Sequence, residues 1–243
     1  MVRNTDYESR RRAVLGATIN RYIGEAVPIS SEDIAKEFSL SSATIRNIFA
    51  ELEDDGYLTH PYTSAGRIPT DKGYRYYVDF LLFQIDLLDD EKQRIVGEYT
   101  REIDRLEDVL EKTSEVICAR THYASIVSFL DWDDRIFYKG IRFILEQPEF
   151  QDFAKIRLIV KMIEEKQEML SIISREFKEK VKVYIGDELG YPCMDNCAMI
   201  VSSYSVKKRP VGRLAIIGPM RMEYNLIIPK LEYISSVLSE VLE

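Results

Sequence analysis

Cysteine is scarce in these 243 residues. Cys118, Cys193 and Cys197 make an odd count, too small for a disulfide framework, which points to a reducing compartment. Histidine is scarcer still, with only His60 and His122, and neither has a positioned partner in the sequence that would make it a catalytic base. Cys193 and Cys197 stand four apart, but a zinc site needs two more ligands that only distant residues would supply. No enzyme activity, metal or cofactor is therefore expected. Long apolar runs are also missing, none approaching the roughly 18 residues of a membrane helix. Residues 1–12 carry charge where a signal peptide would be apolar. The expectation is a cytoplasmic protein with no membrane partner.

Positive charge is in deficit as well: 33 Lys and Arg stand against 41 Asp and Glu, a net charge of -8. Taken as a total this speaks against nucleic acid, whose phosphates are neutralised by cations. Distribution matters more. Arg3, Arg10, Arg11, Arg12 and Arg21 face only Asp6 and Glu8 in the first 21 residues, and Arg67, Lys72 and Arg75 form a second basic group. The acidic run Glu51, Glu53, Asp54 and Asp55 is free to face away from a duplex.

What is present is an α+β pattern in two parts. Residues 7–24 place Val14, Leu15, Ile19, Tyr22 and Ile23 on one helical face. Ser30 and Ser31 precede Glu32 and Asp33, a helix start with an oxygen cap and acids in its first turn. Ser41 is the N-cap of a third helix, with Leu40 and Ile45 spaced as a hydrophobic staple, and Gly56 stops that helix in a left-handed turn. Ile45, Phe49 and Leu52 point inward, so Ser42, Ala43, Arg46 and Asn47 are presented outward. Residues 57–60 and 67–69 read as two strands around a tip at 61–66, and Thr70 caps a fourth helix. Two short helices followed by such a hairpin make a winged helix-turn-helix domain, which sets the third helix's first turn in the major groove.

That geometry assigns chemistry to residues. Arg46 offers a fork to guanine and Asn47 a bidentate pair to adenine, while Ser41, Ser42, Thr44 and the helix N-terminus hold phosphates. Arg67 reaches a phosphate or the minor groove from the hairpin, and Lys72 and Arg75 add to the basic edge. From residue 90 to about 120, Ile95, Tyr99, Ile103, Leu106, Leu110, Thr113 and Ile117 form a heptad-like seam. The expectation there is one long linker helix that pairs with a second copy. Beyond it, residues 123–130, 181–185, 198–205 and 211–217 read as strands, with helices near 153–166, 167–179 and 226–242. The expected domains are 1–88, 89–120 and 121–243. In the last, Arg221 after Gly218-Pro219-Met220 either grips an anion or pairs with a carboxylate.

The stretch Ala43-Thr44-Ile45-Arg46-Asn47, then Leu52-Glu53, Gly56-Tyr57-Leu58, then residues 63–75 (Thr63-Ser64-Ala65-Gly66-Arg67-Ile68-Pro69-Thr70-Asp71-Lys72-Gly73-Tyr74-Arg75) closely resembles the HrcA family of heat-inducible transcription repressors. Leu145-Glu146-Gln147-Pro148-Glu149-Phe150, Ile185-Gly186-Asp187-Glu188 and Gly218-Pro219-Met220-Arg221-Met222-Glu223-Tyr224 agree separately and in order. The resemblance implies a winged-helix domain joined to a GAF-like α/β domain. It further implies a homodimer on double-stranded DNA at an inverted repeat called CIRCE, repression of chaperone genes, and modulation by the GroEL chaperonin. Carried over by position, DNA contact falls on Ser41, Thr44, Arg46 and Asn47, and on Thr63, Ser64, Gly66 and Arg67. The chain departs from the family after residue 130, passing through Asp131-Trp132-Asp133-Asp134 almost directly to Tyr138. Family members carry further strands and an inserted dimerising segment there, so a trimmed sheet is expected. Two readings stand beside the repressor: a regulator whose second domain binds a small effector, and a chaperone-interaction module with weak DNA affinity.

Overall fold

The computed structural model describes residues 2–62, 65–81, 87–99, 105–129, 136–150, 156–157, 159–161, 166–175, 179–207 and 209–243. The chain divides into two compact units, Met1–Phe83 and Gln84–Glu243.

In the first unit, helix α1 (Val2–Glu25) buries Val14, Leu15, Thr18, Ile19 and Ile23 along one stripe. Helix α2 (Ser31–Phe38) starts on Ser30, whose hydroxyl accepts the Asp33 N–H, and stops at Ser39 in the left-handed region. Helix α3 (Ser42–Asp54) follows after a turn of Ser39, Leu40 and Ser41 and buries Ile45, Ile48, Phe49 and Leu52. Each such side chain contributes about 1.5–3 kcal/mol by leaving water. Gly56, at φ +75°, ends α3, and the Tyr57 N–H reaches back to the Leu52 carbonyl at 2.8 Å. Strand β1 (Leu58–Thr59) pairs antiparallel with β2 (Ile68–Pro69), and α4 (Asp71–Leu81) begins where the Thr70 hydroxyl accepts the Gly73 N–H at 3.1 Å.

The second unit is a five-stranded antiparallel sheet in the order β4-β3-β7-β6-β5, with helices on both faces. Its strands are β3 (Ala124–Phe129), β4 (Ile136–Lys139), β5 (Val181–Ile185), β6 (Cys197–Val206) and β7 (Arg209–Pro219). Helices α5 (Asp89–Gly97), α6 (Leu106–Thr121) and α9 (Tyr224–Val241) lie together on one face. There the Ser125 hydroxyl donates to the Ser114 carbonyl at 2.7 Å and Ser202 to Ser235 at 3.0 Å. On the other face, Ile126, Met199, Val201, Ala215 and Ile217 pack with Ile144 of α7 (Ile141–Leu145), with Phe150, and with Met169, Ile172 and Ile173 of α8 (Lys166–Ile173). Both sheet faces are thus covered, which explains why β3 reads as a near-continuous buried run rather than an alternation. Among the described residues no helix is long and apolar enough to cross a membrane.

Two expectations need correction. Residues 89–120 are not one helix: α5 ends at Gly97, and Arg105 is extended immediately before α6. Tyr99 donates to the Thr113 hydroxyl at 3.0 Å across fourteen residues, a span of about 21 Å on a continuous helix. Glu98 likewise meets Lys112 at 3.2 Å and Arg120 at 3.0 Å, so the residues just after α5 lie against α6. The seam residues Ile95, Leu110, Thr113 and Ile117 are fully buried inside this unit, and no face of them is left for pairing with a second copy. Heptad spacing reports an apolar face without saying what covers it. Ile103 lies outside the described residues, as does Trp132 with its acidic turn. Strand β4 is the second difference. It stands in the stretch that read as a shortened connection, and it pairs with β3 from Ser125 opposite Lys139 to Ser128 opposite Ile136.

Replacing Ile117, which is 0% exposed, with alanine is expected to lower the unfolding free energy by about 2–5 kcal/mol in urea denaturation. Burial holds the Tyr99 hydroxyl neutral, pushing its pKa up to about 12. An acid whose folded pKa is raised contributes stability that is present below the unfolded value near 10 and is lost as pH rises toward 12. Denaturation midpoints are therefore expected to fall across that window, and Tyr99→Phe to flatten the fall; an unchanged slope would refute the assignment.

Candidate nucleic-acid interface

One face of α3 is committed to the core, and its other face is exposed. Ser41, Ala43, Arg46, Asn47 and Ala50 lie on the solvent side, with Ser42 and Thr44 partly covered. Ser41 caps the helix: its hydroxyl accepts the Thr44 N–H at 3.0 Å and shares a hydrogen bond of 2.8 Å with the Thr44 hydroxyl. These two are therefore engaged in building the helix start. Arg46 and Asn47 are exposed side by side, and neither forms a side-chain hydrogen bond or ion pair among the described residues. An extended guanidinium and an amide with all their donors open are suited to bidentate contacts with a flat, hydrogen-bonding surface.

The hairpin is joined to the segment before α2 by a backbone bridge. Ile29 and Arg67 exchange both main-chain hydrogen bonds, at 2.9 and 2.8 Å, so the residue before α2 acts as a third short strand. A groove of about 360 Å³ lies between the start of α2, α3 and the hairpin, lined by Ser30, Ser31, Arg46, Phe49, Gly66 and Arg67 among others. Gly66 has no alternative there, because a Cβ would stand 2.5 Å from the Ile29 carbonyl oxygen.

The expected cations are placed differently from one another. Arg67 turns toward α3, its Nη2 standing 2.9 Å from Glu53 Oε2 and its Nη1 donating to the Ala65 carbonyl at 3.3 Å. Lys72 donates to the Asp55 carbonyl at 2.8 Å and lies over the Tyr57 ring, and Arg75 reaches Asp79 at 3.4 Å. Thr63 and Ser64, at the hairpin tip, lie outside the described residues. Three of the four acids in the run, Glu51, Glu53 and Asp55, have partners within the first unit. Arg11 of α1 pairs with Asp55 and stands 3.9 Å from Glu51, to which Tyr7 also donates at 2.8 Å. Asp33 is held below its usual pKa, first by the Ser30 hydroxyl and then by the charges of Arg21 and Lys36. The sequence reading missed Glu53, whose carboxylate meets both Arg67 and His60. Only the opposite charge at position 67 could have signalled it, since the contact spans a helix end and a hairpin.

In the second unit, Arg221 takes the structural alternative. Its guanidinium pairs with Glu149 through two nitrogens, Nη2 to Oε2 at 3.3 Å, and donates to Gln147 at 3.0 Å. Two motifs more than seventy residues apart are thereby joined. Cys118 and Cys197 are free thiols, and no cluster of three or more metal-ligating side chains occurs among the described residues.

Comparison with known proteins places this arrangement. Residues 92–228 match the family model described as the HrcA protein C terminal domain. Similar proteins include the heat-inducible transcription repressors HrcA of Pelotomaculum thermopropionicum, 27% identical over 97% of this chain and 97% of that protein, and of Geobacter sulfurreducens, 28% identical over 98% and 99%. These alignments run over 337 and 339 positions, so the relatives hold residues without a counterpart among the 243 here. A crystal structure described as that of a hypothetical protein superposes with a TM-score of 0.80 at 20% identity, covering 96% of this chain and 97% of that one, which shows the shared fold. The class so defined is a transcription repressor. More narrowly, the chain belongs to the HrcA family.

Gly66→Ala is expected to lower the melting stability of the first unit by about 1–3 kcal/mol, because the hairpin must move off Ile29. Gly16→Ala, where nothing lies within 4 Å of the new Cβ, should instead add about 0.4–1 kcal/mol. Equal effects at both positions would show that the close approach at Gly66 carries no weight.

Proposed function

We propose that the protein represses heat-shock genes by binding double-stranded DNA, reading bases with the outer face of α3. On this reading residues 1–88 form a winged helix-turn-helix domain in which α2 and α3 are the helix pair and β1–β2 the wing. The observation that carries it is the pair Arg46 and Asn47, exposed and unengaged on a helix whose opposite side is fully buried. Those two side chains set sequence preference, each good bidentate contact contributing about 1–3 kcal/mol of discrimination. Ser41, Ser42, Thr44 and the N-terminus of α3 hold phosphates and register, and the hairpin tip at Thr63, Ser64 and Gly66 touches the backbone beside them. Lys72 and Arg75 act at the edge of this surface while keeping their partners Asp55 and Asp79.

The second unit is a GAF-like domain that supplies dimer contacts. Two copies then read an inverted repeat of the CIRCE type, their α3 helices entering major grooves about one turn, or a multiple, apart. The work takes place in the cytoplasm and involves no covalent chemistry. A GroEL-type chaperonin acts as modulator by binding the repressor itself. A metabolite-responsive regulator is the second reading. It is favoured by the open groove of about 700 Å³ beside Cys118, His122, Ile141 and Phe143 in the second unit, and ligand-dependent melting shifts would reveal it.

Selection of bound sites from random DNA tests the main reading, and the expected result is a symmetric site with a fixed half-site spacing. Arg46→Ala and Asn47→Ala should each relax the preference at one base position by roughly tenfold or more. An unchanged preference in both variants would remove α3 from the groove.

A further inference from the structure

We propose that Glu53 is the positioning residue that locks the hairpin to α3, and that Arg67 serves this lock rather than the DNA backbone. The proposal rests on the DNA-binding reading above and revises one residue of it. Glu53 lies in the last turn of α3, at the end opposite the exposed Arg46 and Asn47. Its carboxylate meets one group from each side of the hairpin: His60 Nδ1 just after β1, and Arg67 Nη2, 2.9 Å away, just before β2. A single side chain on the reading helix thereby ties both strands of the hairpin. Between α3 and β1 the chain has only Asp55, Gly56 and Tyr57; the backbone ties the hairpin to Leu52 through the Tyr57 N–H and to Ile29 through Arg67, and Glu53 adds the side-chain tie from α3 to both of its strands.

Arg67 is engaged by its main chain and by the two terminal nitrogens of its guanidinium, while its buried Nε has no partner among the described residues. Its main chain is bonded in both directions to Ile29, its Nη2 to Glu53 and its Nη1 to the Ala65 carbonyl, and its side chain is only 23% exposed. Reaching a phosphate would break that fork and strip a half-buried carboxylate of its cation. An unpaired carboxylate beside a polyanion repels it, so Glu53 is compatible with a DNA-facing surface only while its charge is answered. Arg46 stands in contrast, exposed and without an intramolecular partner among the described residues. Contact groups need to be held within about 0.5 Å of their productive geometry, and the Glu53 lock sets the spacing between helix face and hairpin tip.

The experiment uses the full chain and the DNA site obtained by selection. Arg67→Gln and Glu53→Gln are each expected to weaken binding by about tenfold, and the double variant by hardly more, because the two act as one unit. The plot of log affinity against log salt should keep its slope in Arg67→Gln. A slope shallower by about 0.9 would mean that a phosphate contact had been lost and would overturn the proposal. So would additive losses, or tighter binding by Glu53→Gln, which would show the carboxylate competing with phosphate for Arg67. Arg67→Lys keeps the charge but not the fork, and it should behave like Arg67→Gln; full rescue by lysine would assign Arg67 a role of charge alone.

Amide exchange in the DNA-free protein gives a separate readout. The bridge amides of Ile29 and Arg67 should exchange faster in both glutamine variants, at folded fractions checked by thermal melting. Unchanged exchange would overturn the lock even if DNA binding stands. Failure of the unmodified protein to select any DNA would overturn the DNA reading, and the exchange result would still decide the lock.

Discussion

Burial of one stripe of α3 governs what the first unit can do. Ile45, Ile48, Phe49 and Leu52 fix the rotation of the helix about its own axis, since a turn of one residue would bring a charged or polar side chain into the core. With rotation fixed, the outward direction of Arg46 and Asn47 follows from helical periodicity alone. The cap at Ser41 fixes the start of the helix, and the left-handed Gly56 fixes its end. Position, rotation and length of α3 are thus set by its buried stripe, its Ser41 cap and its Gly56 stop. At this end of α3, Glu51 and Asp55 stand beside Arg11 of α1, and Glu53 meets Arg67 and His60 of the hairpin.

Much of this was legible in the sequence because it is local. A cap, a staple, a stop glycine and a hairpin tip all act within a few residues, and each left its signature between positions 40 and 73. What escaped was long-range. Ile29 joins the hairpin through one isolated bridge, which has no periodicity to detect. Glu53 looked like one member of an acidic run until Arg67 was found beside it. The seam at Ile95, Leu110 and Ile117 was read correctly as a buried face and wrongly as a face between copies, because spacing is the same whichever surface covers it. Strand β4 is four residues long and follows a polar stretch, so it offered too few positions for an alternating pattern.

The separation of α5 from α6 alters how the second unit is built. A helical layer of α5, α6 and α9 covers one face of the sheet, tied by Lys230, which donates to the Arg120 carbonyl at 2.9 Å and stands 3.7 Å from Glu91. Several polar bonds in this layer are serine and threonine hydroxyls closing on carbonyls, which satisfy these groups without an ionised side chain. Ionic contacts stay at the rim. The unit therefore owes its cohesion to packing on both sides of the sheet.

The Arg221 contact with Glu149 and Gln147 has a consequence for how this family can vary. A fork shared between two distant motifs makes them one inheritance unit: a chimera that takes residues 145–150 from one relative and 218–224 from another keeps its ion pair only if both parents carry matching partners. Recombination points inside that interval are constrained, while those before residue 145 or after 224 leave the contact intact.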